Sequence, residues 1–293
     1  MIQLKNIGLL TILIGILSAC TEIIPMEFAT DFERLVVDAT ILNTDTVQYV
    51  KLSKINLDDE NTIVSPVEGA IVKINDGSRD YDFFESKSSR GLYFCKDRLV
   101  GEFEKNYVLS ISQAGVKGYD GVDNYTASAI MSRPLQFDSV TYTYVNVPHK
   151  HKLGVYLNCW AEESSEVNFY LFKAWKNSVL LTDTLYEYVQ IEDEVFNGNY
   201  INGIGCQFLS DRKADEYVNN GDTLTLEIDN IDRAYFEYLI SAQKEDRGVN
   251  PLFGGPPANV TTNISNGAVG IFRVYSVVKQ SVIVDGIGRD ESL

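Results

Sequence analysis

Apolar and polar residues alternate along most of this chain, and the alternation comes in short runs. Segments 34–42 (RLVVDATIL), 47–55 (VQYVKLSKI), 70–74 (AIVKI), 79–85, 91–96 and 106–113 are rich in β-branched and aromatic residues, with polar turns between them. A period of two puts every second side chain on the same face, so such runs predict half-buried strands. Asn75-Asp76-Gly77-Ser78 is the clearest hairpin signal, because Asp-Gly tolerates the positive φ angles of a tight turn. Strands at this spacing predict an antiparallel sandwich over residues 34–132.

Near Pro134, in Ser-Arg-Pro-Leu-Gln, the pattern restarts. Segments 152–162, 166–175, 184–191, 222–229 and 267–284 read as strands of a second β-rich domain, 133–285. Within it the period changes from 2 to 3.6. Ile231, Tyr235, Tyr238, Leu239 and Ala242 fall on one face of a helix over about 231–247. An Asp in the stretch Asp229 to Asp232 serves as its N-cap, and Gly248 suits the position after its last turn. The expected fold class is therefore mainly β: two antiparallel sandwich-like domains in tandem, the second carrying one substantial helix.

Composition changes the picture at the N-terminus. Lys5 precedes an apolar run from Ile7 to Leu17, too short to span a bilayer but suited to the core of a signal peptide. The run ends in Leu17-Ser18-Ala19-Cys20, which resembles a bacterial lipobox, so residues 1–19 are expected to be cleaved and Cys20 acylated. Residues 20–33 then form a lipidated tether, and residues 286–293 a solvated tail. The chain holds 41 acidic and 25 basic side chains. A surface this negative repels phosphate backbones and argues against a nucleic-acid partner.

Little else in the sequence carries chemistry. The Gly254-Gly255-Pro256-Pro257 stretch lacks the lysine and hydroxyl residue of a phosphate-binding loop, and Phe208 stands where a dinucleotide fingerprint needs a small residue. His149 and His151, the only histidines, would share one strand face, but a third metal ligand would have to come from afar, so no metal or other cofactor is assigned. No Gly-x-Ser-x-Gly elbow occurs, and carboxylates are too numerous to single out a glycosidase pair. The expectation is a protein without enzymatic activity. Cys159 and Cys206 fall in one domain and are candidates for a disulfide; the alternative is that both are simply buried. Phe253, Gly254, Gly255, Pro256 and Pro257 form a stiff loop, read first as architecture and second as part of an interface.

Several segments together carry a resemblance. The lipobox is followed by LVVDATIL, SPVEGAIVKINDG and GLYFCKDRLVGEFEKNYVLSIS. The chain closes with Asn250-Pro251-Leu252-Phe253, Pro256-Pro257, Asn263-Ile264 and Gly270-Ile271-Phe272. This order resembles the Bacteroidetes outer-membrane lipoprotein family catalogued as domain of unknown function 4249. The stretch PVEGAIVKINDG…GLYF is also similar to carboxypeptidase-regulatory-like or transthyretin-like sandwiches. The first resemblance implies a lipid-anchored outer-membrane protein, facing the cell surface rather than the periplasm. It also implies a TonB-dependent receptor as partner and a role in capturing a small-molecule, peptide or glycan ligand or in gating. The alternatives are a structural, adhesive or assembly lipoprotein of the envelope, and after that a surface hydrolase.

Overall fold

In a computed structural model the described residues are 33–58, 61–147, 152–194, 198–246 and 260–287. Cys20, His149, His151 and the loop Phe253 to Pro257 lie outside them. The fold is mainly β, as the alternation predicts. The first module holds β1 (Glu33–Leu42), β2 (Tyr49–Asp58), β3 (Asn61–Pro66), β4 (Ile71–Asn75), β5 (Asp80–Glu85), β6 (Leu92–Cys95), β7 (Asn106–Ser112) and β8 (Asn124–Ile130). These strands curl so that their apolar faces meet. Leu35, Val37, Ala39 and Ile41 of β1 share one core with Val72 and Ile74 of β4 and Tyr107, Leu109 and Ile111 of β7. Buried tyrosines keep partners for their polar ends: the Tyr93 hydroxyl donates to the Val67 carbonyl at 2.9 Å, and that of Tyr125 to Val116 at 2.9 Å.

The Asn75–Ser78 turn forms as its sequence predicts. Asp76 Oδ1 accepts from the Ser78 amide at 2.9 Å, the Ser78 hydroxyl at 2.6 Å and the Arg79 amide at 2.9 Å, fixing the β4–β5 hairpin. Burial raises the cost of ionising Asp76, but these three donors and Lys105 outweigh it and hold the carboxyl well below its ordinary range.

The second module comprises β9 (Gln136–Val147), β10 (Lys152–Glu162), β11 (Phe169–Lys176), β12 (Val179–Leu180), β13 (Val189–Glu192), β14 (Tyr200–Ser210) and β15 (Thr223–Ile231), followed by α1 (Arg233–Asp246) and β16 (Val269–Ile283). The three-stranded sheet β14-β10-β9 packs on one face of β11, β15 and β16, burying Val155, Leu157, Phe172, Leu226 and Ile228. Helix α1 covers part of the other face through Tyr235 and Leu239, which meet Phe169, Leu171, Ile271 and Tyr275. Asp232 is its cap, accepting from the Tyr235 amide at 2.8 Å. Asp229, the other candidate in that stretch, is fully buried in the sheet instead. Part of the expected strand 184–191 is a 3-10 turn, Leu185–Glu187, whose Glu187 carboxylate accepts from the Thr184 amide at 3.3 Å.

One strand belongs to both modules. The first half of β16 pairs with β1 in parallel, Val269–Tyr275 against Val36–Leu42. Its second half pairs antiparallel with β15, Ser276–Ile283 against Thr223–Asn230. Alternation predicts an antiparallel sandwich, but side-chain period is the same in both pairings, so this parallel contact has no signature in it. A parallel pair needs a long crossover, and here the remainder of the chain between β1 and β16 supplies it. The approach is very close at Gly270, which sits opposite Val37 with φ +97°; a Cβ there would lie 2.0 Å from the Val37 carbonyl oxygen.

Gly270→Ala is therefore expected to destabilise the chain by about 2–4 kcal/mol, combining backbone strain with a direct clash. Because β16 serves both modules, urea denaturation followed separately by tryptophan fluorescence, which reports the second module alone, and by far-ultraviolet circular dichroism should show both signals shifting. A variant with wild-type midpoints would contradict the role given to this glycine.

Candidate functional site

The chain passes from one core to the other in five residues. Met131 is buried in the first module and Leu135 in the second. Between them the linker is pinned from both sides. The Glu104 amide donates to the Met131 carbonyl at 2.7 Å, and Asn230 Nδ2 on β15 donates to the Arg133 carbonyl at 2.7 Å. The Arg133 side chain makes a two-pronged pair with Glu104, at 2.9 and 2.7 Å. Glu104 itself holds a left-handed backbone, φ 65°, which is uncommon for a residue with a side chain.

Beside this linker lies a cleft of about 490 Å³. Its walls come from the linker, the end of β8, the loop from Glu162 to Asn168 that joins β10 to β11, and Asn230. Volume and position both fit a small-ligand site, since such sites commonly occupy about 300–1,000 Å³ at junctions between domains. Leu135, Met131 and Val167 give it apolar surface, while Glu162, Glu163, Glu166, Asn168 and Tyr170 give it polar surface.

Glu163 is the unusual residue. It is 5% exposed, although it lies on a loop. Its Oε1 accepts from the Tyr170 hydroxyl at 2.8 Å, the Ser164 amide at 3.0 Å and Asn168 Nδ2 at 3.1 Å. Its Oε2 is buried with no donor. The carboxyl of Asp193, 1% exposed and just past β13, lies in hydrogen-bonding contact with it, and Asp193 Oδ1 also has no donor. An ionised Glu163 therefore faces a second carboxyl at close range, which favours its protonated form. Burial pushes the Glu163 carboxyl up to about 7; the Tyr170 hydrogen bond opposes this and the Asp193 charge adds to it.

Below Glu163 a small apolar space is lined by Leu135, Phe172, Ile191, Ile201, Cys159 and Cys206. Both cysteines are free thiols, as is Cys95. Cys159 of β10 and Cys206 of β14 are nevertheless brought into side-chain contact, and their proximity together with burial raises the Cys159 thiol far above its ordinary range. The sequence reading thus placed these two residues in one domain, and the fold places them side by side. Among the described residues no group of three or more His, Cys, Asp and Glu side chains is arranged to hold a metal ion.

Sequence reasoning missed Glu163, Asn168, Asp193 and Asn230. Nothing in Glu162-Glu163-Ser164-Ser165-Glu166 separates the buried acid from its exposed neighbours. The one available signal was Tyr170, a polar-tipped residue at a core position that needs an acceptor.

A second buried ionic group lies on the helix-bearing face of the same sheet. Lys173 of β11 bonds Glu227 at 3.1 Å and Asp229 at 2.5 Å, both on β15, and Lys279 of β16 bonds Glu227 at 2.6 Å. Burial raises the Asp229 carboxyl despite the attraction of Lys173. Glu227 is shifted the other way: two flanking ammonium groups outweigh its burial and lower it.

The pH dependence of stability follows from these shifts. An acid whose folded pKa is raised stabilises the fold fully below its unfolded value, and that contribution is lost as pH rises to the folded one. For Glu163 the window runs from 4.5 to about 7. Glu163→Gln keeps the shape without the ionisation. It should leave stability at pH 4.5 nearly unchanged and raise it at pH 8 by about 1–3 kcal/mol. Asp229 and Asp232, both raised as well, remain to give a residual slope. Urea midpoints measured across this range check it; an unchanged slope in the variant would refute the shift.

Comparison with known proteins adds one relation to this geometry. No curated protein and no solved structure matches the chain. One family model covers residues 21–281, from just after Cys20 almost to the end of β16. The span includes both modules, the shared strand and every wall of the cleft, and on that match the chain belongs to the family described as a domain of unknown function, DUF4249.

Proposed function

We propose that this chain is a lipid-anchored binding protein of the cell envelope, the surface partner of a TonB-dependent outer-membrane receptor, for which it captures a ligand or gates its entry. The observation that carries the reading is the cleft between the modules, which pairs a ligand-sized volume with buried, underused acceptors. Capture needs only such a site and a tether. Acyl chains on Cys20 would supply the tether, each buried methylene contributing about 0.8 kcal/mol, with two or more chains needed for stable anchoring. Anchoring beside a receptor raises the local concentration and turns delivery into a near-intramolecular step.

The setting is the outer membrane of a Bacteroidetes cell, on its outer face, and the first module is read as a transthyretin-like or carboxypeptidase-regulatory-like sandwich. The lipobox and the family membership support this reading. The ligand class is a small molecule, a peptide or a glycan. A second reading, an adhesive or assembly lipoprotein, is favoured by one observation. Ile63 and Val64 are 56% and 62% exposed, on opposite faces of β3, which among the described residues pairs with β2 alone, and such an edge strand suits contact with another protein.

Pull-down of the tagged chain from its own membranes tests the proposal. A TonB-dependent receptor is expected in near-stoichiometric yield, and Cys20→Ala should move the chain from the membrane to the soluble fraction. Repeated preparations without any receptor would overturn the partnership. Recovery of assembly machinery in its place would favour the second reading.

A further inference from the structure

The cleft has a charge pattern that narrows its ligand. Glu162 and Glu166 stand exposed at its rim and Glu163 lies at its base, while Arg133, the cation among its lining residues, is already bonded to Glu104. Among the described residues Glu163 makes no ion pair. The groups facing it are Tyr170 from β11, Asp193 beyond β13, and Cys159 and Cys206 from β10 and β14 across the small apolar space. None is a cation. Asn230, 2% exposed, adds a second buried acceptor, since its Oδ1 has no donor while its Nδ2 is used by Arg133 and Asn168. The lining therefore offers carboxylates and two acceptor atoms that lack donors, with its cation already paired, next to the apolar surface of Met131, Leu135 and Val167.

We infer that the cleft binds a small organic cation, an amine or guanidinium on a short apolar body, with the charged end directed to Glu163 and the rim glutamates. This inference rests on reading the cleft as the capture site. A phosphate or carboxylate ligand would meet three glutamates with no unpaired cation among the described lining residues to offset them, and a sugar without charge would bring hydroxyl donors but nothing to offset the negative charge. Binding of a cation favours the ionised form of Glu163. The proton that Glu163 holds is then released to solvent, and affinity rises with pH through the range in which Glu163 titrates.

The experiment uses the full chain in detergent, with agmatine and lysine methyl ester as probes, glutarate as the anionic control and calcium chloride as the inorganic cation. Isothermal titration at pH 6 and pH 8 should give saturable binding of at least one cationic probe, about tenfold tighter at pH 8. The heat should vary with the buffer's ionisation enthalpy, because a proton leaves. Glu163→Gln should weaken binding at pH 8 by about tenfold or more and remove its pH dependence, while Glu166→Gln at the rim should weaken it about two- to threefold. Glu68→Gln, on the first module and bonded to Arg90, should change nothing. If Glu163→Gln does not fold, the rim variant and the proton release carry the test. No saturation with either probe, equal affinity in the glutamate variants, binding of glutarate, or saturation by calcium alone would each overturn the inference. A receptor that copurifies with a chain binding neither probe would sink the cation site and leave the partnership standing.

Discussion

The contact between Gly270 and Val37 is among the closest backbone approaches of the described residues, and the arrangement of both modules depends on it. At this point the last strand comes alongside the first, closer than any side chain would allow. From there β16 runs on into the second module, where it pairs with β15. Fixing the first half of a continuous strand fixes the second half too. Relative orientation is consequently set by backbone hydrogen bonds rather than by an adjustable interface between separate domains. This is a stronger coupling than the polar, loosely packed contacts that usually join domains within a chain.

The cleft follows from that coupling. Two cores held at a fixed angle leave a gap wherever the chain crosses between them on its way out, and the five-residue passage from Met131 to Leu135 is that place. The loop from Glu162 to Asn168 folds against it, and Asn230 ties the passage to β15. The buried carboxyl groups sit where the gap meets the second core. Their desolvation is costly, and no ion pair among the described residues offsets it there. A group kept in so unfavourable a place stores a preference for something positive.

Legibility differed by the range of the interaction. The Asp76 hairpin, the Asp232 cap and the alternating core faces of β1, β4 and β7 were readable because each depends on residues a few positions apart. The helix was readable because Tyr235 and Leu239 repeat at its own period. What could not be read was which strands pair over long distances. Side-chain period gives a strand's buried face, but not its partner or direction, so the parallel match of β1 to β16 was invisible. The same holds for Glu163 and Asp193, which meet through the fold from opposite ends of a 31-residue stretch. Cys159 and Cys206 were legible as neighbours in composition, not in geometry: they touch as thiols across β10 and β14.

The Lys173–Glu227–Lys279 row across β11, β15 and β16 has a consequence for how the sheet finds its alignment. Hydrophobic packing forbids a shift by one position, which would turn every core residue outward, but it discriminates poorly against a shift by two. The charges do discriminate. Lys173 neutralises two acids on β15, one opposite and one diagonal, and sliding β11 by two positions so that Lys173 faces Thr225 leaves Asp229 without it inside a dry sheet. The row thus acts as a vernier, rejecting an offset that oily side chains would accept.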